Sequence, residues 1–259
     1  MIVEMIENKN CIDYLKTLED ESVDLVLTDP PYAIGFDDGK GWDSQWKTED
    51  EYLDWCKVWT EECARVLKPN RMMVIWGTLK TDTFLRHKLE ILNKIPELYG
   101  QNEIIWSYNW GGRIKNNFAR KHEYAWCYSK GKEFLFNADD VRVERKVKKN
   151  LRTGKEHERG TIPTSVWEKN NHTTSKDFCG WHPTTKNIEL LERLIKAYTN
   201  PKDTVLDIFM GSGSTMIACN NTDRIGIGCE ANKEYHEQSL ERIEKLKVST
   251  LDAHYKEKT

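Results

Sequence analysis

A short proline-rich turn, Asp29-Pro30-Pro31-Tyr32, combines a carboxylate and an aromatic ring with two residues that stiffen the backbone. Proline fixes φ and has no N–H, so the carbonyl oxygens near Asp29 and Pro30 are acceptors without competing amides. A planar amine in this turn can donate one hydrogen to the Asp29 carboxylate and the other to a main-chain carbonyl, while Tyr32 stacks on the ring that carries the amine. The turn therefore predicts an amine-activating site; the alternative is an ordinary turn whose Asp caps a neighbouring amide.

A second turn, Met210-Gly211-Ser212-Gly213-Ser214-Thr215, follows the apolar run Thr204 to Phe209. Glycine tolerates positive φ and has no Cβ, so a ligand can approach this backbone closely. Glu230 lies 17 residues after Gly213, at the end of the next predicted strand, where an acid can accept hydrogen bonds from ribose hydroxyls. Because Met216 replaces the third glycine of a dinucleotide fingerprint, a compact nucleoside site is favoured over a pyrophosphate site. The alternative is a tight strand-to-helix connection that binds nothing.

The elements that must position these turns alternate between helix and strand, as is typical of an α/β protein. Apolar, β-branched runs predict strands at Val23–Thr28, Arg71–Trp76, Glu103–Tyr108, Glu123–Tyr128, Thr204–Phe209 and Arg224–Cys229. Helical spacing predicts helices at Cys11–Leu18, Thr48–Leu67, Thr83–Leu92, Thr184–Tyr198, from the glycine turn through Asn220, and at Lys233–Val248. Both chemically interesting turns therefore follow the carboxyl ends of predicted strands, where open α/β sheets bind ligands.

Length and composition limit the class of protein. A chain of 259 residues with 38% hydrophobic and 31% charged residues indicates one folded domain, with or without an insertion. No run approaches the roughly 18 apolar residues that a membrane span needs, so we expect a cytoplasmic protein that contacts no membrane. The seven cysteines form no C-x-x-C pair, which favours reduced structural thiols over a disulfide framework or a metal site.

A basic run interrupts the polar segment between the two halves of the chain. Eight Lys and Arg side chains against three Glu give this run a charge of +5, in a chain whose net charge is −3. Such a run predicts contacts to nucleic acid phosphates, although a solvated loop is the alternative. A second polar and aromatic cluster, Trp110 to Asn117, predicts such contacts less strongly. The basic residues are Arg142, Arg145, Lys146, Lys148, Lys149, Arg152, Lys155 and Arg159.

Together these features resemble the β class of amino-methylating DNA methyltransferases. The family's catalytic D/S-P-P-Y/F/W matches Asp29 to Tyr32, and its cofactor motif F-x-G-x-G matches Phe209 to Gly213. The H-P-T-x-K segment that precedes the cofactor strand matches His182 to Lys186, and the motif order is that of the β class. The resemblance extends from Val3 to Leu246.

The resemblance implies a role for each matching position. Asp29, Pro30, Pro31 and Tyr32 would hold the flipped base, and Glu230 would bind the ribose of S-adenosylmethionine. Three positions depart from the family pattern, at Ile208, Thr185 and the Lys9-Asn10 pair, and the last puts one contact to the adenine edge in doubt. The predicted cofactor residues are Asn10, Thr184, Lys186, Asp207, Phe209, Gly211, Ser212, Gly213, Ser214, Thr215 and Glu230.

The implied fold is a doubly wound, Rossmann-like methyltransferase sheet with a small target-recognition insertion. Residues 1–136 would form the catalytic part, 137–180 the insertion with the basic run, and 181–259 the cofactor-binding part of the same domain. The implied function is transfer of a methyl group from S-adenosylmethionine to adenine N6 in double-stranded DNA after base flipping. Asp at the start of the turn favours adenine, because cytosine-N4 enzymes of the family more often begin it with Ser.

Two other functions stay open at this point: cytosine-N4 methylation, and a non-catalytic DNA-binding or specificity subunit on the same fold. The family also admits a homodimer and a cognate restriction endonuclease as partners, which the sequence does not decide. The loop from Gly35 to Trp46 either closes over the base or cofactor, or packs its aromatic side chains under the next helix.

Overall fold

A single eight-stranded sheet organises the computed structural model, which describes residues 6–36, 38–108, 114–145, 159–168 and 178–256. The strands lie in the order β1-β8-β7-β2-β3-β5-β4-β6, and all neighbours are parallel except at β5, which is antiparallel to β3 and β4. Their bounds are β1 Ile6–Glu7, β2 Val23–Thr28, β3 Leu67–Gly77, β4 Leu98–Ser107, β5 His122–Lys130, β6 Val166–Glu168, β7 Thr204–Asp207 and β8 Ile225–Cys229.

Helices cover both faces of this sheet, so the central strands are apolar on both sides. All six residues of β2 are buried. Leu25 and Leu27 belong to the core on one face of the sheet, and Val23 and Val26 belong to the core on the other face. The helices are α1 Cys11–Leu15, α2 Glu49–Val66, α3 Thr83–Arg86, α4 Ile188–Tyr198, α5 Ser214–Asn221 and α6 Lys233–Lys256; α3 continues as a π turn, His87–Ile91, and a 3-10 turn, Leu92–Lys94. Among the helices described, none is long and apolar enough to cross a membrane.

The predicted fold class is confirmed, and most predicted elements occur close to their expected bounds. The Thr48 hydroxyl caps α2 by accepting the Glu51 N–H at 3.1 Å. Helix α4 begins four residues later than predicted, because the Asn187 side chain caps it by accepting the Leu190 N–H. Strands β1 and β6 were not predicted, since runs of two and three residues are too short to show a period.

Strand β6 lies within the predicted insertion, residues 137–180, and pairs with β4 at the edge of the sheet. The part of this segment that the structure describes also contains a 3-10 turn, Ala138–Val141, and an isolated antiparallel bridge between Val143 and Thr161. The described residues of the segment therefore extend the central sheet.

The sheet geometry brings the chemically interesting residues to one edge. Parallel strands β2, β7 and β8 end at the same edge, and Asp29, the glycine turn and Glu230 follow them there. Antiparallel β5 begins at this edge with His122 and Glu123. Helix–sheet connections on both sides of the central β2–β7 pair leave a crevice there, as expected for a doubly wound sheet.

Candidate active site

A cavity of about 200 Å³ opens at the carboxyl ends of β2, β7 and β8. Both turns singled out in the sequence line it: Asp29 and Tyr32 at one end, Gly211 and Glu230 at the other. The proline turn and the glycine turn thus share one continuous space. The structure confirms the prediction that both turns follow the carboxyl ends of strands.

The Asp29 carboxylate has a donor on each oxygen. Oδ1 accepts a short hydrogen bond of 2.5 Å from the Tyr32 hydroxyl, and Oδ2 lies 2.6 Å from the Lys186 ammonium. Burial, followed by the nearby Asp29 charge, raises the pKa of Tyr32 well above its ordinary value, so this hydroxyl stays protonated and donates. Asp29 is therefore held in one orientation at the cavity wall.

Lys186 is buried and joins a second carboxylate to Asp29. Its Nζ lies 2.8 Å from Glu123 Oε2, and its side chain is only 9% exposed. Burial alone would lower the pKa of Lys186, but Asp29 and Glu123 outweigh burial and raise it above its ordinary value. The lysine therefore remains a cation between two carboxylates.

The backbone after the proline turn is held by Asp43, which is 2% exposed. Its Oδ1 accepts the N–H groups of Tyr32 and Ala33 at 2.6 and 2.8 Å, and its Oδ2 accepts those of Ile34 and Phe36 at 3.0 and 2.9 Å. Ala33 has a φ of 54°, in the left-handed region that residues other than glycine rarely adopt. Asp43 thus stabilises a strained backbone that places Tyr32 at the cavity.

A side-chain hydrogen bond from helix α2 holds the proline turn in place. The Tyr52 hydroxyl donates to the Pro31 carbonyl at 2.8 Å. Among the described residues, no hydrogen bond engages the Pro30 carbonyl, which follows Asp29 directly. The turn therefore retains a main-chain acceptor beside the Asp29 carboxylate, as the proline pattern predicts.

The glycine turn has the backbone conformation that the sequence predicts. Gly211 and Gly213 have φ of 50° and 76°, and a Cβ on Gly211 would lie 2.7 Å from His182 Nε2. The Glu230 carboxylate closes the turn by accepting the Gly211 and Asn232 N–H groups, each at 2.8 Å. Burial raises the pKa of Glu230, and these two amides oppose the shift. A bulkier residue at Gly211 would move the histidine and narrow the cavity.

Asp207 links the two turns at the ends of the central strands. It accepts the hydroxyls of Thr28 at 2.9 Å and Thr215 at 2.6 Å, and the Phe209 N–H at 3.1 Å. Burial raises the pKa of Asp207 to about 6, although its three donors lower it. Next to it, the Arg242 side chain donates to the Ser212 carbonyl and the Ser214 hydroxyl at 2.7 and 3.0 Å.

Aromatic side chains form the remaining walls. The Phe209 ring packs on Trp55 and Trp59 of α2, with ring centroids 5.4 and 5.5 Å apart. In the Gly35 to Trp46 loop, Trp46 packs on Trp55, whereas Trp42 stacks on His182 and lines the cavity. Trp46 therefore packs under the next helix, as one of the two predicted arrangements has it, and closure of the loop over a base or cofactor stays a prediction.

The other predicted residues divide into three groups. Asn10 caps α1 through the Ile12 N–H at 2.9 Å and lines the cavity, as does Thr184, whose N–H reaches His182 Nδ1. Arg142 and Arg159 pair with Asp139, and Arg145 donates to the Arg159 carbonyl. Outside the described residues lie Lys146, Lys148, Lys149, Arg152, Lys155, Trp110 and Arg113.

Sequence reasoning missed two carboxylates of the site. Glu123 belongs to none of the motifs in the sequence, yet it binds Lys186 in the cavity. Asp43 was not singled out at all. The signal for Glu123 was its position at the start of a predicted strand at the ligand-binding edge; Asp43, in an aperiodic loop, had no such signal.

The chain matches the family model described as "DNA methylase" over residues 23–241. It is 36% identical over 237 residues to the type II methyltransferase M.HpaI of Haemophilus parainfluenzae, covering 91% of this chain and 72% of that protein. It is 34% identical over 243 residues to the DNA adenine methyltransferase YhdJ of Escherichia coli K12, covering 89% and 79% of the two chains.

Solved structures agree with these sequence matches. The structure of the M1.HpyAVI-SAM complex has a TM-score of 0.60 and 27% identity, covering 92% of this chain and 98% of that one. The cytosine-N4-specific PvuII DNA methyltransferase has a TM-score of 0.70 and covers 93% and 90% of the two chains; at 19% identity it supports the fold alone.

Proposed function

Since the chain belongs to the DNA methylase family that modifies N6 and N4 amines with S-adenosylmethionine, we propose that it methylates adenine N6 in double-stranded DNA after base flipping. The observation that carries this proposal is the shared cavity, in which the Asp29 carboxylate and the Pro30 carbonyl lie at one end and the Gly211 turn and Glu230 at the other. A flipped base and a nucleoside cofactor can meet there without solvent between them.

The residues around the cavity fit S-adenosylmethionine. Two glycines with positive φ expose the backbone, and a Cβ at Gly211 would disturb the wall. Glu230 lies at the cavity edge as an acceptor for ribose hydroxyls, and Phe209 and Asn10 lie on the same wall. When bound, S-adenosylmethionine supplies the methyl carbon, which bonds to the target nitrogen as the carbon–sulfur bond breaks and its electron pair stays on sulfur.

The proline turn would orient the target amine. Asp29 would accept one N–H and the Pro30 carbonyl the other, which would leave the nitrogen lone pair directed away from both acceptors and available for transfer. Positive charge develops on nitrogen during transfer, and the Asp29 carboxylate stabilises it in a site with little water. The nitrogen then loses one proton to solvent, which restores a neutral methylated amine. Tyr32 would pack on the face of the base.

Adenine is favoured as the target by two observations. The turn begins with Asp, and a relative with 34% identity is an adenine methyltransferase. Cytosine-N4 methylation is the second candidate, because cytosine presents an equivalent amine. The convergence of Asp29, Tyr32 and Gly211 on one cavity favours an enzyme over a non-catalytic specificity subunit.

We further propose that residues 137–180 engage the DNA and that the flanking segments, 1–136 and 181–259, form one catalytic domain. Flipping a base costs a few kcal/mol, which phosphate contacts from a basic segment would offset. The protein would act in the cytoplasm, either in a restriction system with a cognate endonuclease or alone, as a monomer or a homodimer.

The product of the reaction tests this proposal. Purified protein is incubated with methyl-labelled S-adenosylmethionine and mixed-sequence duplex DNA that carries no prior methylation, and the DNA is digested to nucleosides for mass analysis. We expect label in N6-methyladenine. Label in N4-methylcytosine would reject the adenine assignment, and bound cofactor without labelled DNA would favour the non-catalytic subunit.

A further inference from the structure

A buried ion triad lies at the amine end of the cavity. The Lys186 ammonium lies 2.6 Å from Asp29 Oδ2 and 2.8 Å from Glu123 Oε2. The exposed fraction is 9% for the Lys186 side chain and 19% for each carboxylate. The triad therefore carries one net negative charge in a site with restricted access to water.

The contacts of Asp29 bear on its proposed use. Oδ1 accepts a hydrogen bond from the Tyr32 hydroxyl, and Oδ2 pairs with the Lys186 ammonium. A carboxylate oxygen can accept a second hydrogen bond, so a target amine would share one of these oxygens with the donor already there. An ammonium bound only to Asp29 would compete with the amine for the carboxylate and would also reduce the negative charge that the carboxylate offers to the amine.

Glu123 gives the ammonium a second partner. Because Lys186 already contacts Glu123, it can leave Asp29 Oδ2 without becoming an unpaired buried charge, which would be costly. The walls around the ammonium are aromatic: the ring centroids of Trp76 and Trp106 lie 5.6 and 5.9 Å from Nζ. These rings leave little space for water to replace a carboxylate partner.

We propose that Glu123 is a positioning residue for methyl transfer: it takes the Lys186 ammonium when the target amine enters, so that Asp29 can accept the amine with its negative charge retained. The inference rests on the proposed function, since it concerns the same amine site. It assigns Lys186 to charge placement at the amine, whereas the family resemblance places this residue among those that bind the cofactor.

The position of Glu123 supports this role. It is the second residue of β5, paired with Trp106 of β4, and β5 begins at the edge where β2 ends. The carboxylate is thus anchored on a central strand rather than on a loop. Besides the triad itself, the titratable groups facing it are Tyr32, Tyr52, Tyr108, His182 and Asp207.

Substitution of Glu123 by Gln tests the inference. In Glu123→Gln, Lys186 has Asp29 as its only carboxylate partner, so we expect single-turnover methyl transfer to fall by about 10-fold or more, on the scale of a displaced electrostatic contact. The dissociation constant of S-adenosylmethionine should stay within about 2-fold. The acidic limb of the pH–rate profile should move to lower pH, because an unshared cation lowers the pKa of a carboxyl group.

Substitution of Lys186 should move the profile the other way. In Lys186→Met, Asp29 and Glu123 are left without the intervening cation, and like charges raise the pKa of a carboxyl group. The acidic limb should then move to higher pH by about one unit or more. Shifts of opposite sign in the two variants would show that Glu123 and Lys186 act on the same titrating group through their charges.

The double variant provides a rescue. Glu123→Gln with Lys186→Met removes both the competing cation and the second carboxylate, and leaves Asp29 free to accept the amine. We expect it to transfer methyl at least several-fold faster than Glu123→Gln alone. A double variant as slow as the single one, with S-adenosylmethionine still bound, would overturn the inference.

Glu103→Gln is the matched control. Glu103 lies on β4, pairs with Lys88 and is 51% exposed, so its substitution removes a Lys–Glu pair outside the cavity and should leave transfer unchanged. All variants are measured with labelled S-adenosylmethionine and unmethylated duplex DNA. A wild-type protein that transfers no methyl overturns the proposed function together with this inference. An active wild type matched in rate and pH profile by Glu123→Gln overturns the inference alone.

Discussion

At the scale of single residues, the catalytic turn depends on which groups surround one carboxylate. Asp29 is oriented by the Tyr32 hydroxyl and Lys186, and the adjacent Pro30 carbonyl provides the second acceptor for an amine. Asp29 also shares the Lys186 cation with a second carboxylate, that of Glu123. The site therefore includes residues from three distant parts of the chain.

Asp29→Ala should reduce methyl transfer by at least about 100-fold, the scale of losing one preorganised electrostatic group. S-adenosylmethionine should still bind, because the glycine turn and Glu230 lie at the other end of the cavity. Turnover and cofactor binding are measured on the same preparation. Asp54→Ala, an exposed position on α2, serves as the control. Near-normal turnover would remove Asp29 from the mechanism, and loss of cofactor binding would reassign it to the cofactor site.

At the scale of elements, the loop after the proline turn depends on one buried acid. Asp43 accepts four backbone N–H groups between Tyr32 and Phe36, and holds Ala33 at a φ of 54°. A left-handed φ at a residue other than glycine costs about 1 to 3 kcal/mol and persists only when surrounding contacts maintain it. The loop is thus ordered by side-chain acceptors rather than by a helix or strand.

Asp43→Asn should lower both stability and methyl transfer. The amide keeps one acceptor oxygen and replaces the other with a donor, so two of the four backbone N–H groups lose their partner. Leaving these partly buried donors unpaired should cost about 1 to 3 kcal/mol of unfolding free energy, measured by urea denaturation.

The control for this variant is Asp140→Asn in the exposed 3-10 turn, which should leave stability unchanged. Unaltered stability and turnover in Asp43→Asn would show that the loop does not need this carboxylate.

At the scale of the whole molecule, charge is distributed unevenly along the chain. The run from Arg142 to Arg159 carries +5, while the chain as a whole carries −3. An acidic body would repel DNA, so a local basic segment must supply the attraction. The protein would therefore contact the duplex through this segment and receive the base at the carboxyl edge of the sheet.

Replacing Lys146, Lys148, Lys149 and Arg152 with Ser should weaken DNA binding and flatten its salt dependence. Each lost phosphate contact should change the slope of log K against log salt by about 0.9 on duplex DNA. Affinity is measured over a salt series. Replacing Lys233 and Lys245 of α6 with Ser is the control, since both lie on an exposed helix. Unchanged affinity and slope in the four-residue variant would make the segment a solvated loop.

The sequence by itself determined the elements and the two turns. β-branched runs such as Val23–Thr28 predicted the buried strands. Pro30, Gly211 and Gly213 marked the turns that follow those strands, because proline fixes the backbone angle φ and glycine tolerates positive φ. Since open α/β sheets bind ligands at the carboxyl ends of their strands, this local information also predicted that both turns lie at the ligand-binding edge.

Only the tertiary structure decided which side chains complete the site. Glu123 and Lys186 are 63 residues apart, and Asp43 stands in a loop without a period, so neither pairing leaves a trace in local sequence. Strands β1 and β6 likewise depend on tertiary structure. Each has only two or three residues and is a strand because it pairs with the edge of the sheet, at β8 and β4. The periodicity of apolar residues predicts which face of a helix or strand packs on the core. Long-range contacts between polar side chains depend instead on which strand ends the completed sheet brings together.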